Sequence, residues 1–236
     1  MPGEKSIFAD MRDEPDVVIG CEYFPLVGLL LALLLWVLLM ALSALTAQLL
    51  IAAILVVALT ILTGGLHLDG LMDACDGLLG GRTRERKLEI MRDSRVGSFG
   101  VLGGVCILLL KFAVFASFNI HLLPYALLVA LPAARWSMVV ALRLFPPARQ
   151  TGLGALFHQA VTTRRLVVTT IGTLVIVLLA GQFAGLLSLI IVLLVTLVLG
   201  QYITRSIGGL TGDTYGAIAE VTEVMALLVM ILVLRV

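Results

Sequence analysis

FPLVGLLLALLLWVLLMALSALTAQLLIAAILVVALTIL, residues 24–62, carries no charged side chain. A helix rises about 1.5 Å per residue and crosses a hydrocarbon core about 30 Å thick in about 20 residues, so this run predicts two membrane crossings. Ser43, Thr46 and Gln48 are its soft spots and place the reversal. Pro25 suits a first helical turn. Outward from this stretch the pattern repeats. Phe99 to Ser117 and Leu122 to Leu142 read as a third and fourth span around Asn119-Ile120-His121. Leu166 to Ala180 and Ala184 to Ile203 make a fifth and sixth around Gly181-Gln182, and the last apolar run to Val236 makes a seventh. With 61% hydrophobic residues, 13% charged residues and a mean hydropathy of +1.14, the chain is no soluble domain. The expected fold is all-α, a polytopic membrane helical bundle of about seven transmembrane helices.

The polar remainder divides the chain into an arm over residues 1–22 and one integral membrane catalytic domain over 23–236, with polar connections at 64–98, 143–165 and 204–222. The arm is acidic, unlike a basic, cleavable signal. Alternating seven spans puts Lys5, Arg12, all the bases of residues 82–95, Arg143, Arg149, Arg164, Arg165 and Arg205 on one side and only Arg235 on the other. The positive-inside rule makes that side cytoplasmic, so one cytoplasmic-face active site can draw on all three connections. A net charge of +1 without a basic, aromatic-interleaved surface excludes a nucleic-acid partner. The partner read directly is the lipid bilayer. Cys21, Cys75 and Cys106 have neither metal nor redox spacing.

The chemistry concentrates in residues 63–104, TGGLHLDGLMDACDGLLGGRTRERKLEIMRDSRVGSFGVLGG. On a helix Asp69, Asp73 and Asp76 fall at i, i+4 and i+7, within one narrow arc. Crowded carboxylates repel unless a cation lies among them, and oxygen ligands suit Mg2+, which keeps waters and takes phosphate oxygens. No basic residue lies between Gly64 and Gly81 to neutralise them. Gly70 and Gly77, which weaken a helix, fit the close approach of a ligand. Arg82, Arg92 and Arg95 offer guanidinium forks for phosphate, and Gly97 and Gly100 open an apolar helix whose N-terminus favours an anion. The inventory reads metal plus polyphosphate. Against it, charged runs between spans commonly form solvated loops, and Glu85 to Lys87 fit that account as well.

Elsewhere, Lys111 and Arg135 lie inside predicted spans, where ionisable groups are functional candidates. Arg135 is a candidate for reaching an anionic substrate from within the bundle, and Arg149 and His158 for substrate contact. Arg164 and Arg165 suit a lipid headgroup surface equally well. In the last connection Asp213, within Gly-Leu-Thr-Gly-Asp-Thr, suits metal or sugar binding. Glu220 and Glu223 fit either substrate contact or the ordinary preference of acids for a first helical turn.

The order of these motifs resembles the cobalamin synthase family, the adenosylcobinamide-GDP ribazoletransferases. The likeness rests on Thr-Gly-Gly-Leu-His-Leu-Asp-Gly with Asp73 and Asp76-Gly77, on Met-Arg-Asp-Ser-Arg-Val-Gly-Ser-Phe-Gly, and on Gly-Leu-Thr-Gly-Asp-Thr with Glu220 and Glu223. It covers nearly the whole chain from Tyr23 onward. The resemblance implies a Mg2+-dependent, multi-pass enzyme of the cell inner membrane. Its substrates would be adenosylcobinamide-GDP and α-ribazole or its 5′-phosphate, and its products adenosylcobalamin (or the phosphate) and GMP. A homo-oligomer is compatible with it. In that reaction a hydroxyl attacks one phosphorus of a diphosphate, and the barrier falls chiefly through positioning and charge neutralisation. Asp69, Asp73 and Asp76 are the expected metal ligands and Arg82, Arg92 and Arg95 the clamp. Asp93, Glu89 or His67 is the expected base. Asp73-Ala-Cys-Asp76-Gly77 also matches half of the CDP-alcohol phosphotransferase signature, which makes lipid phosphotransfer the alternative enzyme. A transporter is the alternative outside catalysis, although transport sites belong near the midplane, usually with paired repeats.

Overall fold

A computed structural model describes residues 20–150 and 153–234, and within them helices joined by short connections form the whole of the architecture. The expected polar arm lies, up to residue 19, outside the described residues. After a 3-10 turn at Cys21–Tyr23 come α1 (Phe24–Ser43), α2 (Gln48–Leu62), α3 (Leu66–Gly80) and α4 (Arg84–Ile90). Then follow α5 (Ser98–Ser117), α6 (Leu123–Leu144), α7 (Leu153–Ala160), α8 (Thr163–Ile207) and α9 (Gly212–Leu234). Among the described residues five helical segments, those containing α1, α5, α6, α8 and α9, are long and apolar enough to cross a membrane. The pair α2 and α3, bent by 87°, makes a sixth.

The reversal after α1 falls at the expected polar residues. The Gln48 side-chain amide donates to the carbonyls of Ala116, at 3.0 Å, and Phe118, pinning the start of α2 to the end of α5. The bend between α2 and α3 comes from Gly64 and Gly65, whose φ values of 61° and 68° lie in the left-handed region that residues with a Cβ avoid. Instead of one straight span and a loop, the chain therefore breaks within the bundle and returns as α3.

At Gln182 α8 leaves helical geometry, with φ 48° and ψ -126°. Beyond it Gly185 sits directly against the Val177 carbonyl, contact that a continuous helix could not make across eight residues. Arg143 meets Thr163 at one end of α8, and Arg84 binds the Ile207 carbonyl at the other, on the face where the polar connections gather. The long helix is thus two antiparallel arms, as the Gly181-Gln182 turn predicts.

The bundle closes around α6. Its buried alanines at 126, 130, 133 and 134 let neighbours approach, and Gly28 of α1 lies against the backbone of Leu131 and Pro132. Small residues at helix contacts are what close packing inside a membrane requires. The main core joins α1, α2, α5, α6, α8 and α9 through Leu35, Leu55, Phe115, Leu127, Leu131, Val192 and Leu227.

The three polar connections are stitched together. Arg84 donates to the carbonyls of Ile207 (2.8 Å) and Ala148 (3.2 Å), and Arg149 donates to Leu88 O at 3.0 Å. Ala148 N–H meets Leu210 O and Leu210 N–H meets Pro146 O, both at 2.8 Å. Segments distant in sequence thus share one face, as the charge asymmetry anticipates.

Candidate active site

The face is built on the crossing of α3 and α9. A Cβ on Gly70 would stand 2.8 Å from the Asp213 carbonyl oxygen and 3.0 Å from its Cα. One on Gly216 would stand 3.1 Å from His67 Cα. The close approach that Gly70 permits is therefore that of the α9 turn, not a ligand. Gly77 likewise lies against Lys87 O and Met91, which seats α4 on α3. We expect Gly70→Ala to push against backbone that cannot yield, costing about 1–3 kcal/mol and displacing Asp213. Thermal unfolding together with turnover would show both losses, and an unaffected variant would dissociate the crossing from the site.

The crossing sets three carboxylates together. Asp69 is exposed and Asp73 half-buried on α3, and Asp213 stands in the first turn of α9. Asp73 feels the charges of Asp69, Asp213 and Asp76 and no compensating base. The α9 turn is held by a reciprocal cap: Thr211 N–H donates to Thr214 Oγ1 at 2.8 Å and Thr214 N–H to Thr211 Oγ1 at 3.3 Å. The Thr211 hydroxyl also donates to Asp213 Oδ2 at 3.2 Å. These threonines were not singled out from the sequence, although their three-residue spacing before a helix is the signature of such a cap.

Asp76 departs from the expected triad. Its carboxylate is buried and accepts the Gly97 N–H at 2.7 Å and the Gly100 N–H at 2.8 Å. Both glycines lack room for a Cβ because Asp76 occupies it. The anion expected at the N-terminus of α5 is thus this side chain, satisfying helix-end donors that would otherwise stay unpaired.

On the other flank lie Arg149 and Arg92. Partial burial, then the charge of Arg92, lower the Arg149 pKa from its ordinary value, while Asp213 opposes this. Arg149 Nε is buried with no hydrogen-bond partner. Two guanidinium groups in mutual repulsion, one with an unsatisfied donor, favour a bound anion.

The remaining residues of the central window are placed otherwise. Asp93 is tied to Arg95 by bonds of 2.7–3.2 Å, which hold its pKa down to about 2. Glu89 pairs with Arg86 at 2.8 Å on the exposed surface. Neither carboxylate stands among the charges that act on Asp73. Arg82 is exposed, with no hydrogen bond or ion pair among the described residues. His158 lies apart, bonded through Nδ1 to Leu142 O at 2.6 Å.

Beneath the acidic face the bundle encloses a charge network. Lys111 Nζ lies 2.7 Å from both Glu220 and Glu223, and Arg135 lies 3.1 Å from Glu223. No side chain of the four is more than 7% exposed. Arg135, Glu220 and Glu223, expected at the substrate, thus engage one another and Lys111. Two cations balance two anions, the condition under which buried charge is tolerated. His67 lies beside this network, within reach of the charges of Arg135, Glu223 and Lys111, and its Nδ1 is buried with no hydrogen-bond partner among the described residues.

Among the described residues no three His, Cys, Asp or Glu side chains form a ready-made metal cage. The acidic face nevertheless suits a hard cation: its donors are all carboxylate oxygens, the ligand type that magnesium takes together with water and phosphate.

The cobalamin-5-phosphate synthase family model matches residues 7–231. The chain belongs to this family. A protein of Roseiflexus sp. (strain RS-1) named adenosylcobinamide-GDP ribazoletransferase is 43% identical over 206 residues, covering 87% of this chain and 76% of its own length. One from Desulfitobacterium hafniense (strain Y51), with the same name, is 42% identical over 212 residues, covering 88% of this chain and 84% of itself. A third, from Desulforamulus reducens (strain ATCC BAA-1160 / DSM 100696 / MI-1), is 39% identical over 223 residues, covering 94% and 89%. No solved structure matches the chain. The match to the cobalamin-5-phosphate synthase family takes in α1 to α8 entirely and most of α9, so the acidic face, the arginine flank and the buried network all lie inside it.

Proposed function

We propose that this chain is an adenosylcobinamide-GDP ribazoletransferase. It joins adenosylcobinamide-GDP to α-ribazole, or to α-ribazole 5′-phosphate, and releases GMP. Family membership supports the assignment. The observation that carries the chemistry is the pairing of the Asp69, Asp73 and Asp213 face with the Arg92 and Arg149 flank at the shared end of three polar connections. Counting α2 with α3 as one crossing and the arms of α8 as two, we read seven spans from helices of which five, or six with the bent pair, are long and apolar enough to cross. The polar face is then cytoplasmic, and the membrane the cell inner membrane.

In this reading a ribose hydroxyl oxygen forms a bond to the phosphorus attached to the cobinamide, and the bond from that phosphorus to the bridging oxygen breaks, leaving GMP. Asp69, Asp73 and Asp213 would hold Mg2+. The ion supplies charge neutralisation on the diphosphate as the leaving group develops. Arg149 and Arg92 bind the non-bridging oxygens and fix the diphosphate against the acidic face. Such transfers depend chiefly on positioning and electrostatics, so a rigid crossing of α3 and α9 is an appropriate base for them.

For the hydroxyl proton we assign His67 over Asp93 and Glu89, because Arg95 and Arg86 occupy those two carboxylates. His67→Asn is expected to lower kcat by about 100-fold with KM nearly unchanged, whereas Asp93→Asn should have a small effect. Steady-state kinetics of both variants separate the assignments, and the reverse order of effects would return the role to Asp93.

The deciding assay uses purified protein with Mg2+, adenosylcobinamide-GDP and α-ribazole. GMP and the joined corrinoid should appear in equal amounts and vanish with EDTA. CMP release from a CDP substrate would instead support lipid phosphotransfer, and absence of any nucleotide product would reject the enzyme reading.

A further inference from the structure

We infer that the groove between the start of α1 and the first arm of α8 is a binding site for one anionic phospholipid. The groove measures 770 Å³ and shares no residue with the acidic face. Its rim carries Thr162, Arg164 and Arg165, and its wall continues through Leu26, Val168 and Ile176. From Arg165 to Ile176 the arm descends about 16 Å at about 1.5 Å per residue, the depth of about half a bilayer core. The rim thus sits at headgroup level and the wall along an acyl chain.

The chemistry of the wall agrees. Thr169 and Thr173 turn their hydroxyls onto helix carbonyls, Arg165 O at 2.7 Å and Thr169 O at 2.8 Å, and both side chains are buried, so they present no polar atom to an occupant. Gly172 leaves open space where any other residue would place a Cβ, which keeps the groove clear at chain depth. Arg165 is shared with Glu22, 3.5 Å away, and donates to Ala160 O at 3.0 Å. Arg164 is exposed with no ion pair among the described residues. The rim therefore holds one positive charge in excess, at the N-terminus of α8, where a phosphodiester is favoured. A lipid of net charge −1 complements it and a zwitterionic lipid does not. One uncompensated arginine corresponds to roughly five-fold preference.

Trp136 reports on this wall, because its indole N–H donates to Thr170 Oγ1 at 3.0 Å, directly behind the groove. The chain has 2 tryptophans, so Trp36→Phe leaves Trp136 as the sole emitter. The full chain carrying that change is reconstituted in vesicles of phosphatidylglycerol and phosphatidylcholine in equal parts, with bromine on the acyl chains of one lipid or the other. Brominated phosphatidylglycerol is expected to quench Trp136 with about five-fold higher apparent association. Arg164→Gln should bring the two lipids to parity, and Gly172→Leu should weaken quenching by both. GMP release in detergent should survive both substitutions, which verifies that the variants fold. Equal quenching by the two lipids, or a preference that Arg164→Gln leaves intact, would overturn the site. A second copy of the chain filling the groove would produce that same absence of charge preference.

Discussion

Asp73→Asn is expected to lower kcat by roughly 10²- to 10³-fold while leaving thermal unfolding unchanged within about 0.5 kcal/mol. Asp73 is half-buried, makes no hydrogen bond among the described residues, and is surrounded by charges of its own sign. The fold therefore gains nothing from its ionisation, and removing one negative charge relieves repulsion. Asp76→Asn provides the contrast. Its carboxylate receives two backbone N–H groups, and the amide that replaces it leaves one of them facing a donor, at about 1–3 kcal/mol. Loss of turnover in both variants with loss of stability only in the second would separate a chemical role from an architectural one. Full activity of purified Asp73→Asn would remove the acidic face from the reaction.

The second large effect concerns Glu223. Replacing it by glutamine leaves Lys111 and Arg135 with Glu220 as the only remaining carboxylate of the network, inside a bundle that excludes water. Breaking a buried pair from one side costs about 3–5 kcal/mol, mostly because charge stays behind uncompensated. Lys111→Met combined with Glu220→Gln removes one charge of each sign and retains the pair of Arg135 with Glu223. That double variant should lose much less stability than Glu223→Gln alone. Unfolding of detergent-solubilised protein measures both. A Glu223→Gln protein as stable as the parent would show that the network contributes no net stabilisation.

The helices were legible because membrane spans announce themselves by uncharged runs, and the turn at Gln182 by a glycine beside a polar residue between two such runs. The break at Gly64 and Gly65 was not. The sequence marks a turn there, but whether the chain leaves the bundle or bends within it depends on what packs against α3. The aspartate arc was legible from helical spacing. What separated Asp76 from its neighbours was the placement of Gly97 and Gly100 beside it, a tertiary fact that periodicity cannot carry. Similarly, Lys111, Arg135, Glu220 and Glu223 each stood out within or beside apolar runs, but their partnership spans three helices. The equal number of cations and anions was the one available hint.

The stitching of the polar face has a consequence for biogenesis. Arg84 closes on Ile207, Arg149 on Leu88, and Asp69 and Asp73 meet Asp213 only when α9 has docked. A ribosome-bound chain lacking its last helix would carry two carboxylates and no opposing turn, so under the proposed assignment it would be catalytically silent while insertion is still under way. Competence would arrive in a single late event, which spares costly corrinoid precursors from half-assembled machinery.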